Sequence, residues 1–191
     1  MDERERKRLE RLMREKVELS EPDPGWPDRY AEVEAELKRL VPRMYMLRIA
    51  HIGSTSVPGL GGKPIVDVQV EVNDLEAIRR DVVPRLEDAG YEFVWRPSMG
   101  DSTPFYAWFI KRDAQGRRVV HVHMVPPGQA SADRIAFRDH LREHPEMAAR
   151  YLELKRDLAK RFARDREGYT RNKTAFVQEV LALARREKKK R

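Results

Sequence analysis

Apolar positions recur along this chain at two periods, and the changes of period mark out its elements. From Asp2 to Leu19 they are sparse (Leu9, Leu12, Met13, Val17) among charges at helical spacing, which predicts a helix on the outside whose removal is tolerated. After the proline-rich connection Glu21–Pro27, the residues Tyr30, Val33, Leu37, Leu40 and Val41 fall on one helical stripe, with Pro27 in the first turn. Leu47–Ile52 and Ile65–Val72 read as strands; in the second, Ile65, Asp67, Gln69 and Glu71 alternate with Val66, Val68, Val70 and Val72, giving one polar and one packing face. Asp74–Ala89 is helical by the period of Leu75, Ile78, Val82 and Leu86, is interrupted near Pro84 and ends at Gly90. Tyr91–Trp95 is a short strand, and Phe105–Lys111 and Arg118–Val125 flank the turn Asp113-Ala114-Gln115-Gly116 as a hairpin. Helices fill the rest from Ser131: one starts at Pro145 and carries Met147, Tyr151, Leu154, Leu158 and Phe162, and a last one carries Tyr169, Phe176, Val180 and Leu183.

A chain of 191 residues suffices for one well-buried core and is short for two. The pattern therefore divides into a charged helix over 1–20, one domain over 21–184 that is helical from about residue 131, and a basic tail over 185–191. The net charge of +7 points first to nucleic acid, but much of the excess sits at the two ends without interleaved aromatic residues. Stacking platforms beside cations are what a single-strand binder needs, so a nucleic-acid partner is not expected. No apolar run approaches the roughly 20 residues of a membrane helix, and none flanked by arginine opens the chain. With no cysteine present, the expectation is a cytoplasmic protein without membrane contact.

Chemistry concentrates between His51 and Glu71. The loop His51-Ile-Gly-Ser-Thr-Ser-Val-Pro-Gly-Leu-Gly-Gly-Lys-Pro64 combines glycines, three adjacent hydroxyls and a lysine. Glycine lets backbone N–H groups approach phosphate oxygens, while Ser54, Thr55 and Ser56 add donors and Lys63 a positive charge. Asp67 follows between valines in mid-strand, where an ionised carboxylate needs hydrogen bonds, a cation or a metal. His121 and His123 share a strand face at period two; if their strand lies beside that of Asp67, the three form a one-carboxylate, two-histidine metal set. A solvent-facing histidine pair is the plainer alternative. Lys173 lies on the stripe of Tyr169, Phe176 and Val180, so it either snorkels past the core edge or points into a cleft at a phosphate. Arg138 is a weaker candidate of the same kind. His51 could orient a phosphate, though a bond within its own loop is the favoured role. The spacing of Arg96, Asp101 and Lys111 does not set them apart from surface charges.

The pair Gly53-Ser54, a spacer of twelve residues and then Asp67-Val68-Gln69-Val70 resemble the nucleotidyltransferase superfamily. Gln69 stands where that pattern has a second carboxylate. Over about residues 20–180 the chain looks like the GrpB family within that superfamily. The likeness rests on Asp23-Pro-Gly-Trp-Pro27, His51-Ile-Gly-Ser-Thr-Ser-Val-Pro-Gly-Leu60, Lys63-Pro-Ile-Val-Asp67, His121-Val-His-Met-Val125, Phe137-Arg-Asp139, His144-Pro-Glu146 and Tyr169 with Lys173 and Phe176. The resemblance implies an α+β fold, with a mixed, mostly antiparallel sheet of about five strands covered by helices and a C-terminal helical extension over the site. It also implies metal-assisted transfer of a nucleotidyl group to an unknown acceptor. In that reaction Gly53–Ser56, Lys63, Lys173 and Arg138 would hold phosphates and Asp67 would anchor a divalent metal, magnesium or manganese first, zinc or iron otherwise. Gln69 and Glu71 are further candidates at the site. Two alternatives stand beside it: a non-catalytic module for a nucleotide or another phosphate-bearing small molecule, and an enzyme of other metal chemistry centred on Asp67, His121 and His123.

Overall fold

The computed structural model describes residues 3–96 and 106–188. Five strands, β1 (Met46–Ile52), β2 (Val66–Val72), β3 (Tyr91–Arg96), β4 (Tyr106–Arg112) and β5 (Arg118–Val125), form one sheet in the order β1-β2-β5-β4-β3. Only the central pair, β2 and β5, is parallel, and the other neighbours run antiparallel, as expected. Phe105, the expected first residue of β4, and Asp101 lie outside the described residues.

The strand alternation assigns the two faces their roles. Val66, Val68, Val70 and Val72 pack with Val120, Val122, Met124 and Phe109 against α2 (Trp26–Leu40) and the helical segments α3 (Leu75–Ala77) and α4 (Val83–Asp88). A π turn over Ile78–Val82, and not Pro84, is what interrupts this segment; Pro84 sits in the first turn of α4, where its missing N–H costs nothing. The turn keeps Ile78, Val82 and Leu86 all buried on the sheet.

The opposite face carries Asp67, His121 and His123, and helices cover it from two sides. Its β3–β4 end is closed by α1 (Glu3–Arg14), which is no outside helix: Leu12 is 0% exposed among Val94, Tyr106, Trp108, Ile110 and Val125. Glu15, just beyond, bonds the guanidinium groups of Arg112 at 2.7 Å and Arg118 at 2.6 Å. A sparse apolar stripe was legible, but one fully covered leucine is enough to make a helix part of a core. Leu12→Ala is therefore expected to destabilise by about 2–5 kcal/mol, the usual range for emptying a packed leucine site, measurable by urea denaturation. Trimming residues 1–15 should cost at least as much.

The β1–β2 end is covered by α5 (Gln129–Glu143), α6 (Pro145–Arg161), α7 (Arg166–Arg171) and α8 (Thr174–Lys188). The stripe read as one last helix is split in two, so Tyr169 belongs to α7 and Lys173 to the junction before α8. Arg185 to Lys188, expected in a basic tail, continue α8, where Arg185 pairs with Asp133 of α5 at 2.8 Å. Among the described residues no helix is long and apolar enough to cross a membrane.

Candidate functional site

At the end of β1 the chain must turn sharply while passing close to β2. Gly53 has φ 72°, and a Cβ on it would stand 2.6 Å from Asp67 Oδ2, so both the backbone angle and the space require glycine. Gly53→Ala is expected to destabilise by at least about 2 kcal/mol, from left-handed strain plus the forced displacement of the carboxylate, as chemical denaturation would measure. The three hydroxyls that follow do different jobs. Ser56 Oγ donates back to Gly53 O at 2.5 Å, and Thr55 Oγ1 donates to Ile65 O at 3.2 Å, so both close the loop on itself and do not offer donors to a ligand. Ser54 alone of the three lines the cavity described below.

His51 is on the other side of the sheet. It stands opposite Val68, whereas Asp67 stands opposite Ile52, and alternation sends the two side chains to opposite faces. Its ring stacks on Tyr30 at 4.6 Å and meets Thr55 Oγ1 at 3.0 Å, and burial pushes its pKa down to about 4. It is a neutral structural residue of the loop, on the face of the sheet away from Asp67.

The parallel pairing of β2 with β5 places Asp67 beside His121 and Gln69 beside His123. His121 Nδ1 lies 3.1 Å and His123 Nε2 3.5 Å from the same oxygen, Asp67 Oδ1. Burial pushes the Asp67 carboxyl up, but the bonds from His121 and His123 outweigh it and hold the group well below the ordinary carboxylate range. Burial takes His121 down to about 3 against the pull of Asp67, so the imidazole is neutral and bonds the carboxylate through Nδ1–H. Its Nε2 is then buried without a hydrogen-bond partner. Trp108 packs edge-on to the His121 ring at 5.1 Å and helps fix its plane.

These three residues are a group that could hold a divalent metal, provided that the His121 proton moves from Nδ1 to Nε2. Two donor atoms bound to one ion at about 2.1 Å stand about 3.0–3.4 Å apart for octahedral or tetrahedral angles, which brackets the 3.1 Å and approaches the 3.5 Å separations found here. The three ligand atoms all lie within 4.8 Å of one another. Gln69, in contrast, is not available as a ligand. Its amide donates to Ser131 O at 3.1 Å and accepts from Arg134 at 3.3 Å, so it anchors α5 to the sheet at 1% exposure. Glu71 lies further along β2, beside Arg48 and Val125 in register, and does not line the Asp67 cavity.

Next to Asp67 is a small cavity of about 110 Å³ whose lining includes Ser54, Lys63, Arg138, Lys155, Tyr169 and Lys173. Asp67 is its one carboxylate among the described residues. Lys155 donates to Ser54 Oγ at 2.9 Å and to Gly61 O, and its ammonium also lies 4.8 Å from the Tyr151 ring. Lys173 and Lys63 both lie over the Tyr169 ring, at 4.5 Å and 5.7 Å. Burial, reinforced by the charge of Lys173, pushes Lys63 and Lys155 down to about 7; burial takes Lys173 itself to about 8. Arg138 reaches the cavity rim while donating to His51 O at 2.9 Å and pairing with Asp139 at 2.6 Å. Three amines whose charge is disfavoured by burial are thus gathered beside one carboxylate.

The model of the GrpB protein family matches residues 16–183. The chain belongs to the GrpB family. A UPF0157 protein of Pseudomonas aeruginosa is 40% identical over 171 residues, covering 89% of this chain and 68% of that one. The crystal structure of the conserved protein GrpB from Enterococcus faecalis superposes with a TM-score of 0.73 at 31% identity, covering 89% of this chain and 98% of the other. A dephospho-CoA kinase of Mycolicibacterium paratuberculosis is 29% identical over 201 residues, covering 91% of this chain but 47% of that protein.

Within this GrpB chain the fold brings together Gly53, Ser54, Lys63, Asp67, His121, His123, Arg138 and Lys173, and leaves His51, Thr55, Ser56, Gln69 and Glu71 outside. Lys155 was missed. It stands between Tyr151 and Leu158 on the apolar stripe of α6, the same kind of signal that singled out Lys173, and it is 2% exposed. Tyr151 and Tyr169 read as core residues from their spacing, and only the placement of the lysines reveals them as cavity walls.

Proposed function

We propose that this GrpB chain binds the phosphate of a nucleotide-type small molecule in the lysine cavity, beside one divalent metal held by Asp67, His121 and His123. The observation that carries this reading is the convergence of Lys63, Lys155 and Lys173 on a cavity in which Asp67 is the one carboxylate among the described residues. At about 110 Å³ it has room for a phosphate group and not for a nucleoside, since pockets for whole small-molecule ligands run to roughly 300–1,000 Å³; the rest of the ligand would lie outside it. A metal at the triad would supply charge stabilisation on phosphate oxygens. Two imidazoles and one carboxylate suit manganese, iron or zinc better than magnesium, which favours oxygen donors.

Nucleotidyl transfer is the second reading, and the layout Gly53-Ser54 against Asp67 favours it. The chain's own residues would orient the phosphate through Ser54 and the lysines and offset charge developing on its oxygens. A two-metal arrangement does not fit, because Gln69 is committed to Ser131 and Arg134. The name of the mycobacterial relative adds dephospho-CoA to the ligands worth testing. Its kinase activity is not carried across, since this chain has no Walker A sequence.

The test is calorimetric titration of the metal-stripped chain with inorganic phosphate, nucleoside triphosphates and dephospho-CoA, with and without manganese or zinc. Phosphate-class binding strengthened by metal supports the reading, and product formed from a triphosphate supports transfer. No binding in any combination overturns both.

A further inference from the structure

A second cluster of metal-ligand type lies outside this site. His140 and His144 stand one helical turn apart at the C-terminal end of α5, and Glu187 of α8 reaches between them. Glu187 Oε2 is 3.3 Å from His140 Nδ1 and 3.3 Å from His144 Nε2, and the two rings lie 4.1 Å apart. His144 Nε2 and Glu187 Oε2 are hydrogen-bonded in the metal-free chain, and these separations also match the about 3.4 Å edge between donors bound tetrahedrally at about 2.1 Å. Beyond Glu187 the two rings differ: His140 Nε2 is buried without a hydrogen-bond partner, whereas a further carboxylate stands near His144. His144 Nδ1 lies 3.3 Å from Glu146 Oε1, so a second carboxylate faces the ring nitrogen that does not meet Glu187. His140 is 4% exposed, so its ring is fixed by packing, while Glu187 and His140 line an open pocket of about 400 Å³ that gives an ion a way in.

We propose that His140, His144 and Glu187 form a second divalent-metal site of zinc class that clasps α8 to α5. Two imidazoles and one carboxylate are a donor set for zinc or cobalt, with a fourth position left to water. The clasp would extend the link that Arg185 and Asp133 already make between the same two helices. Its reach includes the phosphate cavity, because α5 carries Arg138 and α8 carries Phe176, which stacks on Tyr151 at 5.2 Å.

The experiment uses the full metal-stripped chain, cobalt as an absorbing probe and zinc for calorimetry, with Asp67→Asn to silence the other cluster. Asp67→Asn is expected to keep one equivalent of cobalt with a tetrahedral visible spectrum, and to gain thermal stability on adding zinc. Adding His144→Gln or Glu187→Gln to it should weaken that equivalent by at least about tenfold and remove the thermal gain. Both substituted side chains are partly exposed, 30% and 42%, so metal-free unfolding curves should match that of Asp67→Asn itself and serve as the control for folding. Cobalt uptake by Asp67→Asn that neither substitution alters, or no uptake by Asp67→Asn at all, overturns the proposal. Neither result bears on whether Asp67 binds metal, which the unsubstituted chain reports separately.

Discussion

Asp67→Asn is expected to abolish metal-dependent ligand binding and to lower the stability of the metal-free chain by about 3–5 kcal/mol, the usual cost of removing one member of a buried charged set. Both effects follow from the same carboxylate. It offers the charged oxygen of the metal set, and it is the anion that faces the amines of Lys63 and Lys173. Without it His121 and His123 keep two imidazole donors, too few for a tight site, while the lysines keep their burial without compensation. The stability term has a pH signature. The Asp67 carboxyl titrates below its ordinary range in the fold, so its contribution is complete above the unfolded carboxylate pKa and is lost as pH falls through the native one. The difference in unfolding free energy between the parent and Asp67→Asn should therefore be largest near neutrality and shrink on acidification. Metal-dependent binding that survives in Asp67→Asn would move the metal elsewhere, and the histidine triad would then be a hydrogen-bonded structural group.

How far this site could be read from the chain depends on the kind of residue. Asp67, His121 and His123 were legible because strand alternation fixes which side chains share a face, and only the pairing of β2 with β5 had to be supplied. The sheet class came from the family resemblance, and alternation supplied the strands and their faces. Helical cover was harder to read. Gln69 on the polar face of β2 is buried because α5 lands on it, and no periodicity within β2 records where a helix 60 residues later will pack. His51 was expected to bond within its own loop, and it meets Thr55, with the turn at Gly53 leaving it and Asp67 on different sides of the sheet. Lys155 illustrates the converse. Its place on an apolar stripe was visible, but the Tyr151 and Leu158 that flank it explain it equally well as a snorkelling side chain until Ser54 and Gly61 are seen to meet its amine.

Lys155→Met separates the anion-binding role of the lysine cluster from its cost to the fold. In the ligand-free chain Lys155 titrates near 7 and not near 10.5, so between those values the unfolded chain holds a proton that the native chain does not. Stability must then rise with pH over that window, by up to about 1.4 kcal/mol per pH unit for each such lysine. Lys63 and Lys173 add the same sign, from about 7 and about 8 upward. The parent is accordingly expected to be more stable at pH 9 than at pH 7, and Lys155→Met should have the shallower slope. Near pH 7 the substitution removes a buried amine and fills its space with an apolar chain of similar length, offset by the lost bonds to Ser54 and Gly61, so its stability should equal or exceed that of the parent. Phosphate affinity should move the other way and fall about tenfold or more, roughly 1.4 kcal/mol. Because the lysines bind an anion as ammonium groups, phosphate binding by the parent above pH 7 should take up protons, seen as a dependence of the calorimetric heat on buffer ionisation. Unfolding curves from pH 6 to 9, alongside phosphate titrations in two buffers, give both quantities. A parent that gains nothing in stability towards pH 9, or a Lys155→Met chain that binds phosphate as well as the parent, would show that these amines are held in the fold for packing and not for an anion.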